Sequence, residues 1–391
     1  MKVKNLLLTT ALLLGASSAW ADNTLSVSDA YITPSGKTAI AIEANFEKAD
    51  FVGYQLEIEL PDGVKADAEA GSEAKAFANG FSGTDHGIAA SNPSGNLYRV
   101  VVSSNAKNMI PSGKFTLLEM RIVGDAALTN GASLNATVKN ITFSDANNVG
   151  ANLAEAAFKI GVSSKIILDE ESAAAPVATT AAADILVKRT INANEWSTIC
   201  LPFPMPAVKW KAAFGNDALI YSLKGYTKDG NTIKVTFGDK VTAAMKTCTP
   251  YIIKTSKDIK EFDVNATITI TQANLKNVIM AEDEETGDEL ETAYMEGILK
   301  ANTTIPANNL FLEKGNFRYS AGKTISKAFR ADFWLKDAAA ESRIVFAFDE
   351  ATGIKNAKIA NDEKIFDLQG RQIENAGKGI YIKGGKKVVI K

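Results

Sequence analysis

The chain has 391 residues, 46% hydrophobic and 23% charged, with 43 Lys and Arg against 45 Asp and Glu. That length allows two or three domains with cores of their own. A formal charge of −2 excludes the basic surplus needed for nucleic acid, and one histidine with two cysteines removes most metal-centre and triad chemistry.

Residues 1–21 have the pattern of a secretory leader. Lys2 and Lys4 give a positive start, and Leu6 to Leu14 form an apolar stretch interrupted only by Thr9 and Thr10. Ala19-Trp20-Ala21 is an A-x-A cleavage site. The stretch is shorter than the ~20 apolar residues of a membrane span. No later stretch is long and apolar enough to span a bilayer.

From 22 to 162 the hydrophobic period is two. In Tyr54-Gln55-Leu56-Glu57-Ile58-Glu59-Leu60 the apolar residues share one face and the polar residues the other, a strand with one buried and one wet side. Pro61-Asp62-Gly63 ends it. Ile40, Ile42, Ala44 and Phe46 alternate upstream, and Leu118, Met120 and Ile122 downstream. Leu134, Ala136 and Val138 share one phase while Ile141 and Phe143 take the other, which predicts a bulge. The segment Ala66 to Ala78 supports at most a short helix. The expectation is a two-sheet antiparallel sandwich.

Residues 163–184 change character. Seven alanines with Pro176, Thr179 and Thr180 between Ala173 and Ala183 predict a linker that lets its neighbours move independently. Residues 185–352 are again strand-rich, with Asp229-Gly230 marking a hairpin. One helix is expected at AVKWKAAFG, where Ala207, Trp210 and Phe214 share a face and Gly215 closes the end. Residues 353–391 hold two or three short strands, the last two joined at Gly384-Gly385, too few for a core of their own.

Chemistry-bearing residues are sparse. Cys200 and Cys248 are the only disulfide candidates; the alternative is a pair of buried, unreactive thiols. His86 stands alone in a Gly/Ser-rich loop, apart from both cysteines, so no Ser–His or Cys–His pair is expected. Glu57 and Glu59 lie on a wet strand face, where acids serve solubility. The acidic run Glu282 to Glu291 fails the calcium-loop template, because from Asp283 the glycine falls at the fifth position, not the sixth; the segment at Asp145 lacks the final glutamate. No cofactor or metal ligand set is expected, and calcium has no motif behind it. Tyr31, Tyr54, Tyr98 and Trp196 could form an aromatic platform for sugars or equally fill strand cores.

Three resemblances cover most of the chain. Phe51, Gly53, Gln55, Leu60, Pro61, Gly63 and Val64, followed by Tyr98, Arg99 and Val100, resemble the strand signatures of cohesin domains and related carbohydrate-binding modules. That resemblance implies a nine-stranded jelly-roll sandwich over 22–162 that binds a partner without turning over substrate; in true cohesins the partner is a dockerin. The segments WSTICLPFPMP, TPYIIK, NNLFLEKGNFRYS and KAFRADFWL resemble a β-rich module of secreted and surface proteins of Gram-negative anaerobes. Against that module Cys248 stands where a small residue is expected, which favours pairing with Cys200. Asp367, Leu368, Gly370, Arg371, Gly379, Ile380 and Tyr381, with the basic end Lys386 to Lys391, resemble the C-terminal sorting tail of type IX secretion.

The sequence therefore predicts an all-β chain: an N-terminal jelly-roll sandwich, a second β-rich domain and a short β tail. It predicts an exported, non-catalytic protein, secreted or at the outer cell surface. A protein partner or an extracellular glycan is bound through the first domain, and the secretion machinery reads the tail. The alternatives are a structural or adhesive envelope protein, and an accessory to glycan degradation.

Overall fold

The computed structural model describes residues 23–47, 50–68, 72–147, 149–282, 289–336, 338 and 342–348, and the backbone of four short strands between 365 and 390. The leader predicted over residues 1–21 lies outside the described residues. Residues up to Ala347 cluster as one compact unit and those from Phe348 as another.

The first region is a sandwich. Its strands are β1 (Thr24–Val27), β2 (Ala30–Ile32), β3 (Lys37–Phe46), β4 (Phe51–Glu59), β5 (Val64–Ala66), β6 (Phe77–Asn79), β7 (Gly87–Ser94), β8 (Leu97–Ser103), β9 (Gly113–Gly124), β10 (Ser133–Asp145), β11 (Gly150–Asn152) and β12 (Ala156–Val162). One sheet runs β1-β3-β9-β5, with β6 also on β9; the other runs β2-β12-β10-β4-β8-β7, with β11 on β10. Twelve strands replace the nine that the resemblance implied. Four of them, β2, β5, β6 and β11, have three residues each, too few to show as alternation.

The alternating residues meet between the sheets as expected. Ile40, Ile42, Leu56, Ile58, Val100, Leu118, Met120 and Val138 belong to one buried cluster. An aromatic group closes one end: Phe143 lies 5.1 Å from Phe46, 4.9 Å from Phe51 and 5.2 Å from Tyr54, centroid to centroid. Such pairs add about 0.5–1.5 kcal/mol each beyond area burial. The phase change in β10 is a bulge. Its pairing with β4 slips by one residue between Lys139 and Thr142, and Asn140 takes φ 51°. The extra residue lets Val138 and Ile141 both face the core.

Beyond it come β13 (Ile166–Asp169), β14 (Ala183–Ile191), β15 (Ser197–Ile199), α1 (Ala207–Phe214), β16 (Leu219–Asp229), β17 (Thr232–Lys240), β18 (Tyr251–Lys254), β19 (Ile259–Ala266), α2 (Gln272–Leu275), β20 (Lys276–Glu282), β21 (Glu289–Ile298), β22 (Thr303–Ile305), β23 (Leu310–Glu313), β24 (Asn316–Tyr319), β25 (Thr324–Ser326), β26 (Arg330–Leu335) and β27 (Arg343–Phe348). They form sheets β13-β14-β19, β15-β18-β16-β17-β27 and β20-β21-β26-β23-β24, with β22 and β25 as a separate pair. The predicted helix is α1. Pro206 precedes it in an extended conformation, Trp210 and Phe214 are buried, and Gly215 ends it at φ 102°, a value other residues rarely adopt. The hairpin at Asp229-Gly230 joins β16 to β17.

The Ala-rich segment is not a free tether. Ala173 and Ala174 are buried against Ala39 and Ala41 on the outer face of β3. Methyl side chains allow this close approach of backbone to sheet. Polar contacts continue the junction: Asn302 Nδ2 donates to Glu43 Oε2 at 2.9 Å, and Lys300 pairs with Glu119 at 2.7 Å. The expected independent motion gives way to a packed junction, because the small side chains on both surfaces let the segment lie close against β3.

The last unit holds strands Ile365–Phe366, Gln372–Ile373, Gly379–Lys383 and Lys386–Ile390. The final two pair antiparallel, Gly379 opposite Ile390 and Lys383 opposite Lys386.

Candidate functional site

The seven-stranded sheet of the sandwich turns one face to the core and one outward. Along β4 and β8 the inward residues are Tyr54, Leu56 and Ile58, and Tyr98, Val100 and Val102. The residues between them face out, and strand register aligns them in rows. One row is Gly87, Ser103, Gly53 and Ser144. The next is Ala89, Val101, Gln55 and Thr142. The third is Ser91, Arg99, Glu57 and Lys139. The first two rows carry no charge, and Val101 is 40% exposed. Gly53 is required by crowding, since a Cβ there would lie 2.8 Å from the Val102 carbonyl oxygen.

The charges of the third row are already engaged. Arg99 donates to Glu57 Oε1 through Nε at 3.0 Å and Nη2 at 2.7 Å, and Asn140 Nδ2 donates to Glu57 Oε2 at 2.7 Å. The hydrogen bonds from Arg99 and Asn140 hold the Glu57 carboxyl below its ordinary range. Lys139 pairs with Glu59. The bulge at Asn140 thus has a second consequence, delivering an amide to Glu57. Both glutamates sit on the outer face, but only Glu59 is wet as expected; Glu57 is buried there beneath Arg99 and Asn140.

Loops at the end nearest the glycine row form a rigid tip. Asp85 accepts hydrogen bonds from Ser104 Oγ, from Ala106 N at 3.0 Å and from Asn108 Nδ2 at 2.9 Å. These donors, Ser104 foremost, hold its carboxyl at about 2. Lys107 Nζ donates to the Ala146 carbonyl at 3.0 Å, tying the loop after β8 to the loop after β10. On this frame Met109 and Val149 stand 59% and 56% exposed. His86 lies in the loop before β7, but its side chain is buried, with Nδ1 2.8 Å from Thr84 Oγ1 and the ring edge-on to Phe81. Burial lowers its pKa.

The other sequence candidates are dispersed. Tyr54 and Tyr98 are core residues, and the Tyr98 hydroxyl accepts from Ala66 N at 3.0 Å. Tyr31 is 37% exposed and lies under Lys188, while Trp196 packs against Tyr221 and Phe346. These four do not make a shared platform. Asp145 spends its carboxylate on its own loop, accepting from Asn147 N and Val149 N at 2.9 and 2.8 Å. Among the described residues no three His, Cys, Asp or Glu side chains gather as a metal set. Positions 283–288 of the acidic run lie outside the described residues.

Cys200 and Cys248 are both buried and unbonded in this structure. Burial pushes the Cys200 thiol up, and Cys248 adds to the shift. Cys248, at φ 51°, donates Sγ–H to the Thr269 carbonyl at 3.3 Å and accepts from Thr271 N at 3.4 Å. Gly297 leaves room for Cys200, whose Sγ would lie 2.4 Å from a Cβ at that position. In the tail, Gly379, Ile380 and Tyr381 fall on a strand, while Asp367, Leu368, Gly370 and Arg371 lie outside the described residues.

Comparison with known proteins finds likeness in structure alone. No family model matches the chain, and no curated protein sequence does. Among solved structures, it is similar to a non-cellulosomal cohesin from Archaeoglobus fulgidus, with 15% identity, 35% of this chain, 90% of that chain and TM-score 0.28. A type III cohesin from a cell-surface anchoring scaffoldin of Ruminococcus flavefaciens shows 16% identity over 38% of this chain and 91% of that one, with TM-score 0.30. The sixth cohesin of an Acetivibrio cellulolyticus scaffoldin, solved with a dockerin, shows 10% identity over 36% and 98%, with TM-score 0.29. Among the described residues no helix is long and apolar enough to cross a membrane.

Proposed function

We propose that this chain is an exported, non-catalytic binding and assembly protein, and that its sandwich docks a protein partner on the outer face of the seven-stranded sheet. The carrying observation is the pair of uncharged rows centred on Val101 and bordered by Met109 and Val149. Short side chains on paired strands lose little conformational freedom when covered. The neighbouring charges are satisfied internally, so docking does not strand them. An apolar centre with a polar rim is the ordinary anatomy of a protein interface.

Export rests on the leader, with cleavage after Ala21, and surface delivery on the tail motif from Asp367 to Tyr381. The mature chain, 22–391, is immobilised and exposed to envelope and medium proteins of the producing cell, with and without a calcium chelator. A saturable protein partner retained by wild type and lost with Val101→Asp supports the reading. Equal retention by the variant overturns the proposed face, and no saturable partner returns weight to a structural envelope role. N-terminal sequencing of the exported protein checks the leader.

A further inference from the structure

On the outer face of β21 and β26, chemistry gathers that the docking proposal does not use. Register sets Tyr294 opposite Trp334 and Glu296 opposite Asp332. The two rings stack with centroids 5.5 Å apart and planes 19° apart, and Trp334, the half-buried member of the pair that carries no cation, is the one with ring surface to offer. Lys276 Nζ sits 3.8 Å over the Tyr294 ring, held by Glu291 at 2.8 Å. One step along the strands, about 7 Å away, a cavity of about 270 Å³ opens, with Asp332, Glu296, Thr303 and Thr304 among its walls.

Asp332 is only 4% exposed yet lines that cavity. Asn309 Nδ2 donates to its Oδ2 at 2.8 Å and reaches the Tyr294 hydroxyl at 3.5 Å. A carboxylate offers about four acceptor sites, and Asn309 occupies one. Burial, opposed by the Asn309 hydrogen bond and assisted by Glu296, pushes this carboxyl up to about 6. Keeping a carboxylate in so dry a place is costly unless something hydrogen-bonds it.

We infer that this face is a binding site for a neutral oligosaccharide, one sugar ring lying against Trp334, which Tyr294 and Lys276 back, and the next placing hydroxyls on Asp332 and Glu296 in the cavity. A pyranose has an apolar face of C–H groups and a rim of hydroxyl donors, matching ring surface beside carboxylate acceptors. The volume suits one sugar unit. Two carboxylates on the wall repel acidic sugars, as they would phosphate or an acidic peptide. This site lies on different strands from the proposed protein-docking face and does not depend on it.

The test is affinity electrophoresis of the whole mature chain through native gels containing neutral polysaccharides (β-glucan, xylan, mannan and galactan), with polygalacturonate as the acidic control. Saturation-transfer NMR with free hexoses gives a second readout. Wild type is expected to be retarded by at least one neutral polysaccharide. Asp332→Asn and Trp334→Ala are expected to weaken binding about tenfold or more, the loss of one charged hydrogen bond or one stacking face. Asp332→Asn is isosteric and decides the question should Trp334→Ala unfold, which its thermal melt reports. Val101→Asp leaves retardation unchanged and separates this site from the docking face. Lack of retardation by every neutral polysaccharide, retardation by polygalacturonate only, or unchanged binding in folded Asp332→Asn overturns the inference.

Discussion

The sandwich closes around one large cluster of hydrophobic side chains, from Ile40 and Leu56 to Val138 and Phe143. The β region after it closes around a charge. Arg189 is fully buried, donating to the carbonyls of Phe329, Thr190 and Thr198, to Ser197 Oγ and to Glu170. Glu170 gathers Lys327 and Arg330 as well. Burial alone would raise the Glu170 carboxyl, but Arg189 and Arg330 outweigh it and bring it below its ordinary value. The sandwich is thus held by area and shape, whereas the smaller sheets of the second region are joined around one guanidinium that reaches five backbone and side-chain acceptors.

The chain offers a way to read the two regions separately. Apart from Trp20, its tryptophans are Trp196, Trp210 and Trp334, all in the second region. Tryptophan fluorescence follows that region, and hydrogen exchange at amides of β4 and β10 follows the sandwich. The largest contrast should come from Arg189→Met. It leaves Glu170 buried with its main partner gone, at a cost of about 3–5 kcal/mol. Denaturant unfolding followed by fluorescence should show it while β4 and β10 stay protected. Arg189→Lys should rescue little, because one ammonium cannot span the same acceptors. Equal loss in both regions would show that they unfold as one cooperative unit.

Leu56→Ala is the matching change in the sandwich. Loss of a packed apolar group should cost about 2–5 kcal/mol, seen as faster exchange in β4 and β10. A cost well under 1 kcal/mol would contradict an area-driven core.

Acidity should move the two regions in opposite directions. The Asp332 carboxyl rises from 3.8 unfolded to about 6 folded. The stability it contributes is complete below pH 3.8 and is lost as pH rises through about 6, a swing of about 3 kcal/mol. His86 has its folded pKa lowered below 6.5. Its contribution is present above pH 6.5 and is lost as pH falls through the folded value, with a slope no steeper than about 1.4 kcal/mol per pH unit. Asp332→Asn should flatten the fluorescence-detected pH profile, and His86→Asn that of sandwich exchange. The smallest effect is expected at the junction. Lys300→Ala removes a part-exposed ion pair with Glu119 and should cost about 0.2–1 kcal/mol in thermal unfolding.

Much of the sandwich is legible as sequence. Alternation in Tyr54 to Leu60 names the buried and wet faces of β4, and the phase slip after Val138 locates the bulge. Helix α1 follows from Trp210, Phe214 and Gly215 in the same way. The aromatic pair on β21 and β26 is not legible. Tyr294 and Trp334 stand 40 positions apart in apolar runs, and their meeting depends on strand register. The sequence drew attention instead to Tyr54 and Tyr98, whose alternation with polar residues places them in the core.

Period-two patterning and turn residues alone determine the all-β class and the faces of the long strands, because these depend on neighbours within a few positions. Tertiary structure decided that the alanine segment packs on β3, that Arg189 is enclosed, and that Tyr294 and Trp334 meet. Those outcomes depend on which distant strands pair and in what register, and that is set by whole-core packing.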